Sequence, residues 1–300
     1  MSVISGGGGI SILYLVANGL VNRLSSTWRS RLQPFIFVGP ALAVLSWYLL
    51  LPTLRTLYLS FFNANSAKFT GIENYIFAFT DRVMLTAFRN NLLWLIIGTG
   101  GATIFGLVIA LLADRSRFEK IAESFIFLPM AISFIGAGVI WKFVYAFKPA
   151  GVEQIGLLNA VIVALGGEHV GWFTIRPWNT FFLIVILIWM WTGYSMVLHS
   201  AAIKGVPKEL IEAGRIDGAG EIRIVLSIVI PYISGTIVTV PTTILIVTLK
   251  IFDIVFSMTN GLYGTEVIAS QQYKQIFKFL HYGRGSAIAM ILFIAVIPVI

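Results

Sequence analysis

The side chains with the greatest capacity for chemistry are three histidines and thirteen acidic residues, and their spacing predicts no catalytic or metal site. His169, His199 and His281 lie far apart in the sequence and match no metal-ligand spacing, so roles in loops or interfaces are the better expectation. The absence of cysteine removes disulfides, thiolate catalysis and cysteine-based metal sites. The glycine run at residues 6–9 is not followed by lysine, and no G-x-x-x-x-G-K-S/T phosphate loop occurs elsewhere. We therefore expect that this chain does not itself hydrolyse ATP.

Acidic residues are scarce in the apolar part of the chain. Only Asp253 is expected near a membrane span, and it either pairs with Lys250 across one helical turn or lies with it at headgroup level. Proton-driven carriers usually keep several buried ionisable groups along a relay, which argues against an ion-coupled secondary transporter. An integral membrane lipid-modifying enzyme would need acidic or histidine groups converging near one interface, and the sequence has no such cluster. These two classes are the alternatives to the function favoured below.

The segment from Glu212 to Pro231 offers contact chemistry instead, because its first half is charged and punctuated by glycine. Uncharged apolar runs lie on either side of that charged half, at residues 181–198 and 224–249. Each run is long enough to cross a bilayer as a helix, which takes about 20 residues. A polar insert between two such runs is typical of a docking surface.

Local signals predict a short helix, a turn and a second helix in this region. Pro207 suits the first turn of a helix that continues to Arg215, and Lys208 and Glu212 form an i, i+4 pair on it. The segment Asp217–Gly220 then supplies turn chemistry, since Asp can cap a following helix and Gly permits tight backbone approach. A second side of the helix carries Leu210, Ile211 and Gly214.

Composition places the whole chain in the membrane. Hydrophobic residues make up 58% and charged residues 11%, and the mean hydropathy is +0.90. A transmembrane β-barrel would need stretches of alternating polarity, and continuous runs such as FFLIVILIWMW exclude it. The sequence therefore predicts an all-α integral membrane protein.

Six apolar spans are predicted, and a segment at residues 1–33 precedes them as a cytoplasmic or interfacial stretch. The spans cover about 34–61, 91–113, 121–147, 179–201, 224–251 and 285–300. Pro40, Pro52 and Arg55 predict a tilt or kink in the first span. The last run reaches Ile300 in mid-hydrophobic stretch, so either the span ends at the bilayer face or a short polar tail is missing.

The net charge of +8 is spread among the apolar spans rather than gathered in a dense basic run, so no nucleic-acid partner is expected. A cytoplasmic N-terminus places a small excess of lysine and arginine in the inner loops, close to the ends of the spans. The positive-inside rule therefore favours N- and C-termini in the cytoplasm.

The pattern E-A-x-x-x-D-G-A, followed by I-x-x-P, resembles the cytoplasmic EAA loop of permease subunits of binding-protein-dependent ABC importers. The resemblance is strongest to the carbohydrate class, which includes maltose, glycerol-phosphate and α-glucoside importers. The matching positions are Glu212, Ala213, Asp217, Gly218, Ala219, Ile228 and Pro231. Gly214 departs from the alanine usual in the family, and Val225 from a frequent phenylalanine.

The resemblance covers about residues 34–300. Its further motifs are Gly71-Ile72-Glu73-Asn74-Tyr75, Phe88-Arg89-Asn90-Asn91, Phe127-Leu128-Pro129, Gly156-Leu157-Leu158-Asn159 and Trp191-Thr192-Gly193-Tyr194. After Thr259-Asn260-Gly261, Leu262 and Tyr263 replace the Gly-Pro that is common in the family.

The resemblance implies a six-helix permease of the type I ABC importer architecture in the bacterial inner membrane, with residues 34–300 as its transmembrane domain. It implies a coupling helix at about 204–223 that contacts the ATPase through Glu212, Ala213, Gly214, Asp217, Gly218 and Ala219. The implied partners are a second homologous permease, two cytoplasmic ATP-binding subunits that bind ATP and Mg, an extracytoplasmic solute-binding protein and membrane lipid. No cofactor is expected in this chain. The alternative for the segment is a solvated cytoplasmic loop whose charges only orient the spans.

The solute implied by the resemblance is a sugar, an oligosaccharide or a glycosylated polyol. Substrate contacts of maltose-type permeases, transferred by motif offset, fall on Trp191, Thr192, Gly193, Met196, Ile244, Val247, Thr248 and Ile251. The last four share one helical face, as a stripe lining a pathway would. The alternatives are that these apolar residues face lipid or a neighbouring helix, and that the partner permease does most of the solute binding.

Overall fold

The computed structural model describes residues 14–16, 18–19, 21–23, 25–113, 119–149 and 151–299. These residues form helices and connecting turns, with one isolated bridge between Phe62 and Phe69. Four helices are long and apolar enough to cross a membrane, or six spans exist if each of two bent helix pairs counts as one. The predicted all-α membrane fold is confirmed. The chain divides into two compact units, Met1–Leu59 and Ser60–Ile300.

The first unit is dominated by one long helix, α1 (Ser26–Leu59), which begins earlier than the predicted span. It continues past Pro34 and Pro40 and widens into a π-helical turn at Ser46–Leu50, just before Pro52. A proline ring clashes with the carbonyl four residues earlier, so a wider turn at this point lets the helix continue. The most apolar window of α1 contains no buried residue.

The second unit contains the remaining helices. In chain order they are α2 (Glu73–Thr80), α3 (Arg82–Ala113), α4 (Lys120–Ala131), α5 (Phe134–Val144), α6 (Leu157–Ala164), α7 (Trp178–Lys204), α8 (Lys208–Ile216), α9 (Glu221–Tyr232), α10 (Ser234–Leu249), α11 (Asp253–Met258), α12 (Ile268–Tyr273, extended by a π-helical turn at Lys274–Lys278) and α13 (Tyr282–Val299).

Two of the predicted spans are broken rather than straight. The axes of α4 and α5 differ by 104°, and those of α9 and α10 by 70°. At the first break the chain leaves the helix after Pro129 and Ala131, and Ser133 starts α5 by accepting a hydrogen bond from the Gly136 N–H at 3.1 Å. The hydrophobic run alone did not reveal these bends, because apolar residues continue through both breaks.

The centre of the second unit is the crossing of α3 and α7, where small residues let the backbones approach. A Cβ on Gly98 would lie 2.7 Å from Leu187, and a Cβ on Gly106 would overlap Ser195. Such small residues are a common device for close helix packing in membranes. Successive contacts run in the same direction along both helices, so α3 and α7 are parallel, and their first residues lie at the same end of the unit.

Buried asparagines fix the loops at that end. The Asn90 side chain donates to the carbonyls of Gly264 and Glu266 at 2.7 and 2.8 Å, and Asn179 donates to Tyr263 at 2.9 Å. Asn74 and Asn159, which belong to the motifs quoted above, likewise donate to loop carbonyls. An amide side chain that satisfies buried backbone groups stabilises an irregular loop. These motif asparagines therefore hold the ends of the spans.

Candidate functional site

The predicted contact helix is present as α8, which joins α7 through Gly205, Val206 and Pro207. Pro207 stands just before the first helical residue, and the helix ends one residue beyond the predicted Arg215. Glu209 lies in the first turn and Arg215 in the last, as the helix dipole favours. Because α7 and α3 are parallel, α8 lies at the opposite end of the unit from residues 73–82 and 259–282.

α8 is packed firmly onto α9. Gly214 faces Ile228 and Ile224, where a Cβ would lie 2.9 Å from the Ile228 Cδ1. The Arg215 Nε donates to the Glu221 Oε1 at 2.9 Å, and this hydrogen bond raises the pKa of the exposed arginine. An exposed ion pair contributes little stability. The apolar contact of Gly214 with Ile228 and Ile224 therefore contributes most of the stability of the α8–α9 packing. The glycine at position 214 is explained by this close approach.

The turn after α8 is a Schellman-type cap. Gly218 has φ +77°, a backbone conformation that glycine adopts without strain. Its N–H donates to the Arg215 carbonyl and the Ala219 N–H to the Gly214 carbonyl, both at 3.0 Å. The residue at the N-cap of α9 is Gly220, so Asp217 is not the cap of the following helix. The turn fixes the angle at which the chain enters α9.

The outward side of this segment is available for contact. Among the candidate coupling residues, Glu212, Ala213, Asp217 and Gly218 are exposed, whereas Gly214 and Ala219 are half-buried. Ile216 is 86% exposed, which places a large apolar side chain beside those charges. The predicted pair of Lys208 with Glu212 is not among the ion pairs of the described residues; Arg215 pairs with Glu221 instead.

A polar cluster joins α4 to the end of α7, close to α8. The Glu123 Oε1 accepts a hydrogen bond from the Ser200 hydroxyl at 3.0 Å and lies 3.7 Å from the Lys204 Nζ. Sequence reasoning missed Glu123, because it precedes Ser200 by more than seventy positions. The one sequence feature that could have pointed to Glu123 is its position as an isolated carboxylate at the start of an apolar run.

The candidate substrate residues on α7 fall into different environments. Trp191 is half-buried and makes an edge-to-face contact with Tyr194 at 5.3 Å between ring centroids. The Thr192 hydroxyl donates to the Ile188 carbonyl at 2.7 Å. Gly193 lies against the backbone of residues 126–127, where a side chain would not fit. Met196 is fully buried in a cluster with residues of α3 and α9.

The candidate stripe on α10 is mostly interior. Ile244 is fully buried beside Ala102 and Val240, with Trp191 and Tyr194 packed against this cluster. Thr248 is also fully buried, and its hydroxyl donates to the Ile244 carbonyl. Val247 is half-buried. Ile251 is buried in the central core but lies beyond the end of α10 at Leu249, so it does not continue the predicted helical face. The structure therefore brings Trp191 and Ile244 together but does not gather all eight candidates around one cavity.

Two sequence-based interpretations of the ionisable residues are wrong. Asp253 is not the only carboxylate near a span, since Glu123 lies within α4 and the Glu266 backbone carbonyl accepts from Asn90 of α3. Glu266 is 4% exposed, and its carboxylate accepts a hydrogen bond from the Lys274 ammonium. His199 lies in neither a loop nor an exposed interface but is fully buried in α7, with Nδ1 close to the Ser195 carbonyl. Asp253 and Lys250 form none of the ion pairs found between described residues. Within the described ranges, no group of three metal-ligating side chains converges.

Comparison with known proteins agrees with this architecture. Residues 102–300 match the family described as "Binding-protein-dependent transport system inner membrane component". Osmoprotective compounds uptake permease protein GgtC of Synechocystis sp. is 58% identical over 264 residues, which cover 88% of this chain and 95% of that protein. Alpha-glucoside transport system permease protein AglF of Rhizobium meliloti is 47% identical over 269 residues, covering 89% and 80%.

A solved structure supports the fold alone. A chain of a bacterial alginate ABC transporter, crystallised in complex with an alginate pentasaccharide-bound periplasmic protein, has a TM-score of 0.75 at 18% identity, with 92% of this chain and 94% of that chain covered. The family match extends over most of this chain, and the two relatives align over nearly all of it. The chain belongs to the family of inner-membrane permease components of binding-protein-dependent ABC importers.

Proposed function

We propose that this permease carries a neutral sugar, oligosaccharide or glycosylated polyol. ATP hydrolysis by separate cytoplasmic subunits drives this transport, and α8 transmits the force to the spans. The observation that carries the coupling role is the rigid attachment of an exposed helix to two spans. α8 follows α7 after three residues and is held to α9 by Gly214 and by the cap at Gly218. A force applied to its outward side is therefore transmitted to both spans.

The candidate contact residues have the chemistry for a protein partner. Glu212 and Asp217 offer exposed carboxylates, and Ile216 offers an apolar anchor. An apolar side chain surrounded by polar groups is a common arrangement at protein interfaces. Glu212, Ala213, Gly214, Asp217, Gly218 and Ala219 together form the proposed ATPase contact. ATP and Mg belong to the partner subunits in this proposal, and the chain itself acts as a transport subunit.

The proposed complex has this chain, a second homologous permease, two ATP-binding subunits and an extracytoplasmic solute-binding protein. The exposed apolar surface of α1 suits lipid or a second permease. In this proposal the α8 end of the spans lies in the cytoplasm, which the basic residues of its loops favour, and the positive-inside rule likewise favours a cytoplasmic N-terminus.

The proposed solute class rests on the named roles of the relatives and on the aromatic pair at Trp191 and Tyr194. Their rings are partly exposed and offer apolar faces to a sugar. The eight candidates, on α7, on α10 and at Ile251 just beyond α10, remain the proposed pathway set. Because Met196, Ile244 and Thr248 are fully buried, solute reaches them only if the helices separate during the transport cycle.

Copurification and uptake together test the proposal. Tagged permease should copurify with an ATPase, and membrane vesicles loaded with ATP should import a neutral α-glucoside presented by the binding protein. Glu212→Ala should lower ATP-driven uptake about tenfold, the effect of losing one charge-assisted contact, while the permeases still assemble. Glu209→Ala changes an exposed carboxylate on the same helix and serves as the matched control. Uptake driven by an ion gradient without nucleotide would reject the proposal, as would equal uptake by Glu212→Ala and wild type.

A further inference from the structure

A polar cavity of about 400 Å³ lies at the end of the second unit opposite α8. It lies among the end of α2, the start of α3, α12 and the start of α13. Its lining consists of Phe77, Asp81, Val83, Gln271, Gln275, Phe279, His281 and Arg284. A volume in this range is typical of small-molecule sites. None of these residues belongs to the coupling segment or to the pathway set on α7 and α10.

Two glutamines give this cavity unused hydrogen-bonding capacity. Gln271 and Gln275 are four residues apart on one face of α12, and each is only 5% exposed. No hydrogen bond joins either side-chain amide to another described residue. Neither amide belongs to the fully enclosed, unpartnered polar atoms of the described residues, so both reach the open space of the cavity. A polar ligand that enters the cavity can therefore bond to both amides in place of water.

The charged groups of the cavity are arranged to offer both donors and acceptors. The Arg284 guanidinium lies 3.9 Å from the centre of the Phe77 ring, and it forms none of the ion pairs seen between described residues. The Asp81 Oδ1 caps α3 by accepting from the Val83 and Met84 N–H groups at 2.9 and 3.0 Å, which leaves Oδ2 for another donor. Asp81 and Arg284 together bring no net charge to the cavity.

His281 adds one more donor. Its Nδ1 accepts a hydrogen bond from the Arg284 N–H at 3.2 Å, which puts the ring proton on Nε2. Burial, with a further contribution from the Arg284 charge, lowers the pKa of His281, so the imidazole is neutral near pH 7. The cavity therefore contains amide, imidazole and guanidinium donors together with amide and carboxylate acceptors.

This balance fits a neutral, hydroxyl-rich ligand better than an ion. Each hydroxyl group both donates and accepts hydrogen bonds, and so does each of the two glutamine amides. A quaternary ammonium ligand would need open aromatic faces, but each phenylalanine ring of the lining already faces a cation. The Arg284 guanidinium lies over Phe77 and the Lys278 ammonium lies 5.8 Å from the centre of the Phe279 ring, and both would repel a second cation. We propose that this cavity is a binding subsite for a neutral glycoside or polyol at the outer mouth of the permease. The inference rests on the proposed transport function. It adds a second binding site for the same solute class, apart from the pathway residues.

Thiol protection tests occupancy directly, because the chain has no cysteine of its own. Gln275→Cys and, as matched control, Gln272→Cys are made in the assembled transporter and labelled from the outer side with a membrane-impermeant maleimide. Gln272 is the adjacent glutamine of α12 and does not line this cavity. Trehalose at about twice its dissociation constant should slow labelling at position 275 about threefold and leave position 272 unchanged. Glycine betaine at the same concentration should protect neither thiol.

The subsite would be rejected if trehalose does not slow labelling at position 275, or if it slows labelling equally at positions 275 and 272. It would also be rejected if betaine protects position 275 as well as trehalose does, or if the maleimide reaches position 275 only from the α8 side. Protection is measured without ATP and without transport. It therefore decides on the subsite even if wild-type vesicles import no glycoside, which would count against the transport proposal alone.

A second set of variants measures the role of the amides in uptake. Gln271→Met and Gln275→Met keep side-chain volume and remove the amide, so each should raise the KM for glycoside uptake about three- to tenfold. Gln272→Met should leave the KM unchanged, and all three variants should melt at the wild-type temperature. Wild-type KM values in both cavity variants would contradict the proposal. If either variant fails to assemble, the thiol-protection experiment alone decides whether the subsite exists.

Discussion

Gly214 of α8 lies directly against Ile228 of α9, where a Cβ would come within 2.9 Å of the isoleucine Cδ1. The nearest atom is the far end of a flexible side chain, so one methyl group can be accommodated by a small shift. A larger side chain cannot fit without moving α8 away from α9. The contact therefore fixes the distance between the proposed ATPase contact and the span that follows it.

Gly214→Ala should retain ATP-driven uptake, because the Ile228 side chain can move aside. Gly214→Leu should separate α8 from α9 and lower uptake at least tenfold while ATP hydrolysis continues. The ratio of solute imported to ATP hydrolysed in proteoliposomes measures this uncoupling. Gly220→Ala is the control, since no atom lies within 4 Å of a Cβ at that position. An unchanged ratio in Gly214→Leu would show that the α8–α9 contact does not transmit force.

Gly106→Ala should destabilise the permease, because its Cβ would overlap Ser195 and approach the Met196 backbone nitrogen at 2.8 Å. Overpacking of this kind costs about 1–3 kcal/mol. Gly100→Ala is the matched control on the same helix, with open space around the new Cβ. That variant should be neutral or stabilise by up to about 1 kcal/mol. Thermal unfolding of the complex in detergent distinguishes them, and equal melting temperatures would contradict the tight α3–α7 crossing.

Glu266→Gln should destabilise the loops at the end opposite α8, because it removes the negative charge that faces the Lys274 ammonium. Only neutral acceptors then remain, the new amide oxygen and the Asn260 carbonyl at 2.8 Å. Removing one partner of a buried ion pair costs about 3–5 kcal/mol. The double variant Glu266→Gln with Lys274→Met should recover part of this loss, since no buried charge is then unpaired. Chemical denaturation monitored by tryptophan fluorescence gives the comparison, with the exposed Glu153→Gln as control. A single variant as stable as wild type would mean that the pair contributes nothing.

His281 should make the stability of the permease depend on pH below neutrality. Its pKa is lowered from 6.5, mainly by burial and further by the Arg284 charge, and Asp81 is the carboxylate that lines the same cavity. The unfolded chain takes up the proton more readily, so the stability that neutral His281 contributes is present above pH 6.5 and lost as pH falls below it. His281→Asn keeps a capping acceptor for the Arg284 N–H and removes the titration.

Melting temperatures measured between pH 8 and pH 5 should therefore fall less steeply in His281→Asn than in wild type. His169→Asn changes a histidine outside this cavity and serves as the control. Identical slopes in all three proteins would show that His281 is not responsible for the pH dependence.

The helices and the contact segment were predictable because their signals are local. Long uncharged runs predict spans, and the charges and glycines from Glu212 to Gly220 predict a short helix followed by a turn. The boundaries of α8 differ from the prediction by one residue at each end, since Pro207 precedes the helix rather than beginning it. The coupling residues were identified from a motif, and their ATPase contact stays a prediction.

The breaks within the spans were not predictable from hydropathy, because apolar residues continue through them. The burial of the candidate pathway residues was likewise not predictable from the sequence. A helical stripe such as residues 244–248 has the same sequence pattern whether it faces a solute or the neighbouring helix. Only the packing of Ile244 against Ala102 shows that it is interior in this conformation.

By itself, the sequence determined that the chain is helical, crosses a membrane and carries one polar contact segment, since composition and short-range spacing specify these properties. Only the tertiary structure determined which polar groups from distant parts of the sequence lie in contact or line the same cavity. Asn90 reaches the carbonyl of Gly264 across 174 positions, and Gln271, Gln275, Asp81 and Arg284 gather around one cavity. The physical reason is that helix formation depends on neighbours within one turn, whereas these contacts depend on how distant helices pack.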